Sequence, residues 1–207
     1  MSGLSRAYVG MQCFWGESSF AKILGVKGTR VGYAGGTTPA PTYKQIGDHT
    51  EVTEVTFDPS VVSYRSVLEW FWNHHDPTVP NKKQYQSAIL FTDDEQKKVA
   101  EETLEEQKKK RNRPVQTYVV PLEAFYQAED YHQKYWLRSQ PSILAQLDVK
   151  EEEIATSEVT AKVNAYLAGY TDFSELNELA SKHNLNADVV KLIKEIAERG
   201  GDPRVCH

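Results

Sequence analysis

The chain has 207 residues, of which 40% are hydrophobic, 26% charged and 11% aromatic, with a formal net charge of −5. That composition supports one packed core and excludes global disorder, and its mildly acidic balance argues against nonspecific nucleic-acid binding, which runs on basic patches. No apolar run approaches the roughly 20 residues of a membrane span, and the first ten residues hold no long apolar stretch, so the expectation is a cytoplasmic protein that does not engage membranes.

Residues 6–12 read as a strand, and 14–24 as a helix that ends near Gly25. A strand over 26–34 runs into Gly35-Gly36, and a polar loop with Pro39, Pro41 and Gly47 follows. Residues 51–57 alternate as a strand, stopped by Asp58-Pro59. Helical spacing over 61–73 places Val67, Leu68, Phe71 and Trp72 on one face. A short apolar strand at 87–92 precedes a charged helix at 92–111, in which Glu101, Glu102, Glu105 and Glu106 come before the basic cluster 108–113. That order matches the helix dipole and reads as a solvated helix face. Residues 115–120 form one more strand.

The first six elements follow β-α-β-β-α-β. This order predicts an α+β fold with a ferredoxin-like two-layer α/β sandwich core, a mainly antiparallel sheet and helices on one face. Beyond Pro121 comes an aromatic-rich segment, 125–136, and from residue 148 onward the pattern is helical, with apolar spacing over 157–168, 173–183 and 187–198. The expected organisation is a core over 1–147, a helical extension over 148–199, and a mobile tail over 200–207.

Only two cysteines occur, Cys13 and Cys206, and neither belongs to a Cys-x-x-Cys pair. A disulfide scaffold is excluded, and a reducing compartment is expected. Cys13 falls where a strand hands over to a helix. Free backbone N–H groups and the helix dipole would stabilise a thiolate there and lower its pKa from about 8.5. The competing reading is a buried structural cysteine. Glu51 shares a strand face with Val55 and Phe57, while Glu54 lies on the other face. Desolvation on the apolar face would raise the pKa of Glu51 and keep it protonated near neutral pH. His74-His75-Asp76 reads as a helix terminus, since adjacent residues point apart and no second ligand pair has zinc spacing. Glu129-Asp130 with His132 could suggest acid–base work.

Six blocks occur in order: Cys13-Phe14-Trp15-Gly16, Gly32-Tyr33-Ala34-Gly35-Gly36, Pro41-Thr42-Tyr43, His49-Thr50-Glu51 ahead of Phe57-Asp58-Pro59, His75-Asp76-Pro77-Thr78, and Gln84-Tyr85 ahead of Ser87-Ala88-Ile89. Together they resemble the A-type peptide methionine sulfoxide reductases over about residues 5–140. The resemblance implies thiol-dependent reduction of methionine S-sulfoxide, protein-bound and free, and a structural or pocket-rimming role for Glu129, Asp130 and His132. No zinc, flavin or nucleotide motif is visible, so no cofactor and no metal are expected. It implies Cys13 as nucleophile, Phe14 and Trp15 as the wall for the substrate methyl, Glu51 as general acid, and Tyr43 and Tyr85 as the hydroxyls that bind the sulfoxide oxygen. A Cys13 sulfenic acid would form, Cys206 is the expected resolving thiol, and thioredoxin or a similar dithiol the expected reductant of a monomer. A thiol peroxidase and a non-catalytic module that grips oxidised methionine are the rival readings.

The chain departs from the family pattern at four places. Gln12 stands where Gly or Ala is usual, and Ser18 where Glu is frequent. The loop before Gln84 is short and lacks the usual Asp. Residues 139–142 carry no cysteine, which leaves Cys206 as the candidate resolving residue.

Overall fold

The computed structural model describes residues 3–200 and has a mixed α+β architecture built on one six-stranded sheet. Strands β1 (Ser5–Gly10), β2 (Val26–Ala34), β3 (Thr50–Phe57), β4 (Ala88–Phe91), β5 (Tyr118–Pro121) and β6 (Phe125–Gln127) are arranged β5-β4-β1-β3-β2-β6. All pairings are antiparallel except that of β4 with β5, which α3 (Asp94–Lys110) bridges as a crossover. β6 was not expected. Three residues of the aromatic segment pair with β2, and they fit there because Gly32 has no Cβ: one would meet Tyr126 O at 2.4 Å. Strands this short carry too little periodicity to announce themselves.

The residues that alternate onto one face of the central strands, Ala7, Val9, Val55 and Phe57, pack against Phe20, Val67, Leu68, Phe71 and Trp72. These come from α1 (Gly16–Ala21) and α2 (Tyr64–His74). The helix ends are chemically marked. Ser63 caps α2 through the Ser66 N–H, and Asp93 caps α3 through the Gln96 N–H at 2.8 Å. Helix α3 opens on Asp94 and Glu95 and closes on three lysines, as its dipole favours. Helix α1 is shorter than the expected 14–24 and starts only at Gly16, so Cys13 sits in a bend ahead of the helix.

The carboxy-terminal part builds a second apolar cluster from α4 (Tyr135–Arg138), α5 (Pro141–Leu144), α7 (Glu158–Leu167), α8 (Leu176–Lys182) and α9 (Ala187–Arg199), with the short α6 (Glu151–Ile154) between α5 and α7. Helix α7 packs on α1 and β2 on one side and on α9 on the other. One buried polar knot joins the two clusters. Lys134, 0% exposed, donates from Nζ to Glu17 Oε1 at 2.5 Å, to Thr29 O at 2.6 Å and to Ala155 O at 2.8 Å. Its backbone N–H reaches Glu17 Oε2 at 2.9 Å. Burial pulls the ammonium pKa down, opposed by the Glu17 charge. All three ammonium donors are satisfied, which is the condition under which such burial is tolerated.

Removing one partner leaves an uncompensated buried charge. Lys134→Ala and Glu17→Ala are each expected to cost about 3–5 kcal/mol in urea unfolding, and the Glu17→Leu/Lys134→Met double variant distinctly less than the sum of the two. Near-neutral single variants would contradict this account.

Candidate active site

Strand β1 ends at Gly10, and the chain then turns through Cys13, Phe14 and Trp15. Gln12 holds the turn in place. Its φ of 69° lies in the left-handed region, an uncommon setting for a residue with a Cβ, and its Nε2 donates to Asp76 O at 2.9 Å. Gln12 therefore ties the cysteine turn to the loop that carries Gln84 and Tyr85. Cys13 is 5% exposed, and no free cysteine occurs among the described residues. Phe14 packs on Tyr33 with ring centroids 6.0 Å apart, and on His132 at 5.0 Å.

The strand register brings the carboxyl to this turn. Tyr33 of β2 is paired with Glu51 of β3, so both point to the face that Phe14 covers. The register that matches Val9 with Thr53 sets Glu51 beside the end of β1. Glu51 is 2% exposed, and desolvation raises its pKa to about 7. Gln84 Nε2 donates to Glu51 Oε1 at 2.8 Å and opposes that rise. At neutral pH the carboxyl is thus close to half protonated. Glu54 is buried too, although it faces the other way. Arg30 binds it through two nitrogens at 3.0 and 2.8 Å, and Tyr8 Oη donates to it at 2.7 Å.

The two candidate hydroxyls come together. The Tyr43 hydroxyl acts on Tyr85 and, with burial and the nearby Glu51 charge, pushes its pKa up to about 12. Each arrives on an anchored loop. Thr50 Oγ1 donates to Lys83 O at 2.7 Å and pins the turn before Tyr85 to the start of β3. Asp48 accepts from the N–H and hydroxyl groups of both Thr37 and Thr38, which drives its carboxyl well below the usual range. Gly36 is required in this loop, because a Cβ would meet Asp48 Oδ1 at 2.5 Å. His49 Nδ1 accepts from Gly36 N, and its Nε2–H donates to Thr38 O at 2.7 Å.

Glu129 then fixes Tyr43 from below. Its Oε1 accepts from Tyr43 N at 2.9 Å and its Oε2 from Tyr33 Oη at 2.7 Å. Burial works to raise the Glu129 pKa, but these donated bonds outweigh it and hold it below the ordinary value. His132, 7% exposed, lies between Phe14 and Tyr43, and burial lowers its pKa. The pocket-rimming reading of Glu129 and His132 thus has a geometric content. Their side chains position the aromatic residues around the turn.

Sequence reasoning missed Gln84 as a partner of Glu51. The only available signal was its place beside Tyr85, three residues after Asn81. His74 and His75 turn back to Trp70 O and Phe71 O of their own helix, and among the described residues no group of three His, Cys, Asp or Glu is placed to hold a metal. Cys206 lies outside the described residues.

The electrostatics predict a titration. Carbon-13 NMR of the Glu51 carboxyl is expected to show a midpoint near 7. The Gln84 N–H stabilises the ionised form, so Gln84→Leu should move that midpoint upward. A midpoint that stays put or falls would remove Gln84 from the account.

This chain matches the family model described as peptide methionine sulfoxide reductase over residues 5–164. It is 46% identical over 169 residues to a peptide methionine sulfoxide reductase of Drosophila melanogaster, covering 80% of this chain and 69% of that one. It is 37% identical over 196 residues to peptide methionine sulfoxide reductase A5 of Oryza sativa subsp. japonica, covering 90% and 73%. Among solved structures, methionine sulfoxide reductase A of Corynebacterium diphtheriae superposes with a TM-score of 0.59 at 31% identity, covering 68% of this chain and 77% of that one. Mxr1 of Saccharomyces cerevisiae in reduced form gives 0.60 at 30% identity, covering 67% and 86%. A cysteine turn, a desolvated glutamate and two joined tyrosines thus stand on a fold shared with these enzymes, and the chain belongs to the peptide methionine sulfoxide reductase family, oxidoreductases acting on sulfoxide.

Proposed function

We propose that this chain reduces methionine S-sulfoxide, in proteins and as the free amino acid, with Cys13 as nucleophile. The observation that carries this reading is the desolvated Glu51 carboxyl, poised near neutral pH beside the Tyr43–Tyr85 pair and the Cys13 turn. The substrate methyl rests against Phe14 and Trp15, and its oxygen accepts from the tyrosine hydroxyls. The Cys13 thiolate attacks, and Glu51 delivers a proton to the oxygen, which would otherwise leave as an unstable oxide. The sulfoxide is reduced to methionine as the S–O bond breaks, and Cys13 takes the oxygen as a sulfenic acid. The Cys206 thiol then displaces that oxygen as water and forms a disulfide, which thioredoxin or a similar dithiol reduces by exchange. Cys206 is proposed because it is the chain's one other cysteine.

The organisation we propose is a core over 1–147 with a helical extension over 148–199 and a tail over 200–207 that carries Cys206. The inner strand order β4-β1-β3-β2, antiparallel throughout, supports a ferredoxin-like sandwich for that core. Among the described residues no helix is long and apolar enough to cross a membrane. A cytoplasmic, monomeric enzyme fits the acidic composition and sparse cysteines.

Reduced protein mixed with a methionine sulfoxide peptide is expected to yield methionine and lose up to two thiols; a binder loses none. Cys13→Ser abolishes turnover. Cys206→Ser completes a single turnover but stalls with thioredoxin, and full thioredoxin-driven turnover by that variant refutes the resolving role. The acid must be protonated to act, so kcat should fall as pH rises through about 7. Glu51→Gln should lose about 10²–10⁴ in kcat together with that limb.

A further inference from the structure

A cavity of about 730 Å³ opens beside the cysteine turn, lined by Gln12, Trp15, Asn73, Asp76, Arg111 and Tyr170 together with His74 and His75. Trp15 belongs to both this cavity and the proposed methyl wall, and Gln12 adjoins Cys13. The volume far exceeds what a thioether methyl needs and is of the size that holds several side chains. A polypeptide whose oxidised methionine rests on Trp15 brings its neighbouring residues here, at about 3.3 Å per residue.

The charges of this wall do not cancel. Asp76 is ionised, its charge stabilised by the Thr78 N–H and hydroxyl and paired with Arg113 Nη2 at 2.6 Å. His74 stacks on Trp70 with ring centroids 3.9 Å apart, and His75 is held between Phe71 O and Ser87 Oγ. Burial lowers His75 to about 4, so it adds no charge at neutral pH. Arg111 donates only to neutral acceptors, Gln107 Oε1 at 3.2 Å and Trp72 O at 2.9 Å, and has no ion-pair partner among the described residues. It follows Lys108, Lys109 and Lys110 at the end of α3, of which Lys108 pairs with Glu105 at 2.7 Å. A guanidinium without an ion pair among the described residues therefore stands in the wall of a groove next to the cysteine turn.

We propose that this groove is a subsite for the polypeptide flanking the oxidised methionine and that Arg111 selects an acidic side chain there. The proposal rests on the reductase reading above and adds a substrate preference to it. An exposed or half-exposed ion pair of this kind is modest, so the expected discrimination is about threefold to fivefold in kcat/KM.

The test uses the full chain with dithiothreitol as reductant. Substrates are peptides carrying methionine sulfoxide with Glu, Gln or Lys at each of the three positions on either side, and a blocked methionine sulfoxide without flanking residues. Wild type should favour Glu over Gln and Lys at one or more positions, and about 0.5 M salt should erase the difference by screening. Arg111→Gln should lose the preference and Arg111→Lys keep part of it, while both turn over the blocked amino acid like wild type, which also reports that they fold. The salt comparison needs no variant. Equal rates for Glu and Gln peptides in wild type, or a preference that survives Arg111→Gln, overturns the proposal. So does an Arg111→Gln variant that is unaltered on every peptide with dithiothreitol but, in a second assay with thioredoxin in its place, shows a raised KM for thioredoxin, which would make this face the reductant's. Failure to reduce even the blocked amino acid would instead count against the reductase reading.

Discussion

A fully buried ammonium group cross-links distant parts of this chain. Lys134 has no exposure to water, and its three donors reach three separate stretches of chain: Glu17 in α1, Thr29 in β2 and Ala155 after α6. Transferring that charge from water is costly, and only full coordination compensates it. The residues around it are therefore confined. Lys134 takes a left-handed backbone, φ 54°, to reach inward. The preceding Gln133 uses its side-chain amide as a substitute strand, donating to Val31 O and accepting from Val31 N. The segment that carries Glu129 and His132 is thus fastened to β2 and α1 at the point where it must face Phe14 and Tyr43.

From that anchor the site follows by register. β2 and β3 pair so that Tyr33 and Glu51 share a face, Glu129 grips Tyr33 and the Tyr43 backbone, and Tyr43 meets Tyr85. Each contact uses a backbone position that the sheet or an anchored loop already fixes. Little side-chain freedom remains to be lost when a substrate binds, which is how a preorganised site lowers the cost of association.

Much of this was legible in the chain. Period-2 alternation identified β3 and put Glu51 on its apolar face, and the bounds of β2 were read as they stand. The capped, charge-ordered helix α3 was equally plain. What escaped reading was tertiary. Glu54 was assigned correctly to the opposite face, but nothing local showed that Arg30 and Tyr8 would bury it there. The length of α1 was overestimated, because the aromatic pair Phe14-Trp15 continues the apolar spacing although the backbone is still turning. Lys134 looked like any solvated lysine, since burial of a cation depends on partners 117 and 105 residues away. β6 exists only because Gly32 leaves room for it.

The loop before Tyr85 shows how a missing carboxylate changes the chemistry. A second acid beside Glu51 would raise its pKa through like-charge repulsion in addition to burial. Here the neighbour is the Gln84 amide, whose N–H favours the ionised form, so desolvation alone supplies the upward shift and the amide trims it to about 7. The amide also carries no charge of its own to be buried. A site arranged in this way depends on how well water is kept from Glu51. The loop is held at one end by Gln12 on Asp76 O and at the other by Thr50 on Lys83 O. Gln12 stands in a left-handed conformation that glycine would adopt without strain, yet glycine has no side chain to make the tether. The strain at residue 12 and the neutral partner at residue 84 thus belong to one loop, tethered at both ends beside the acid.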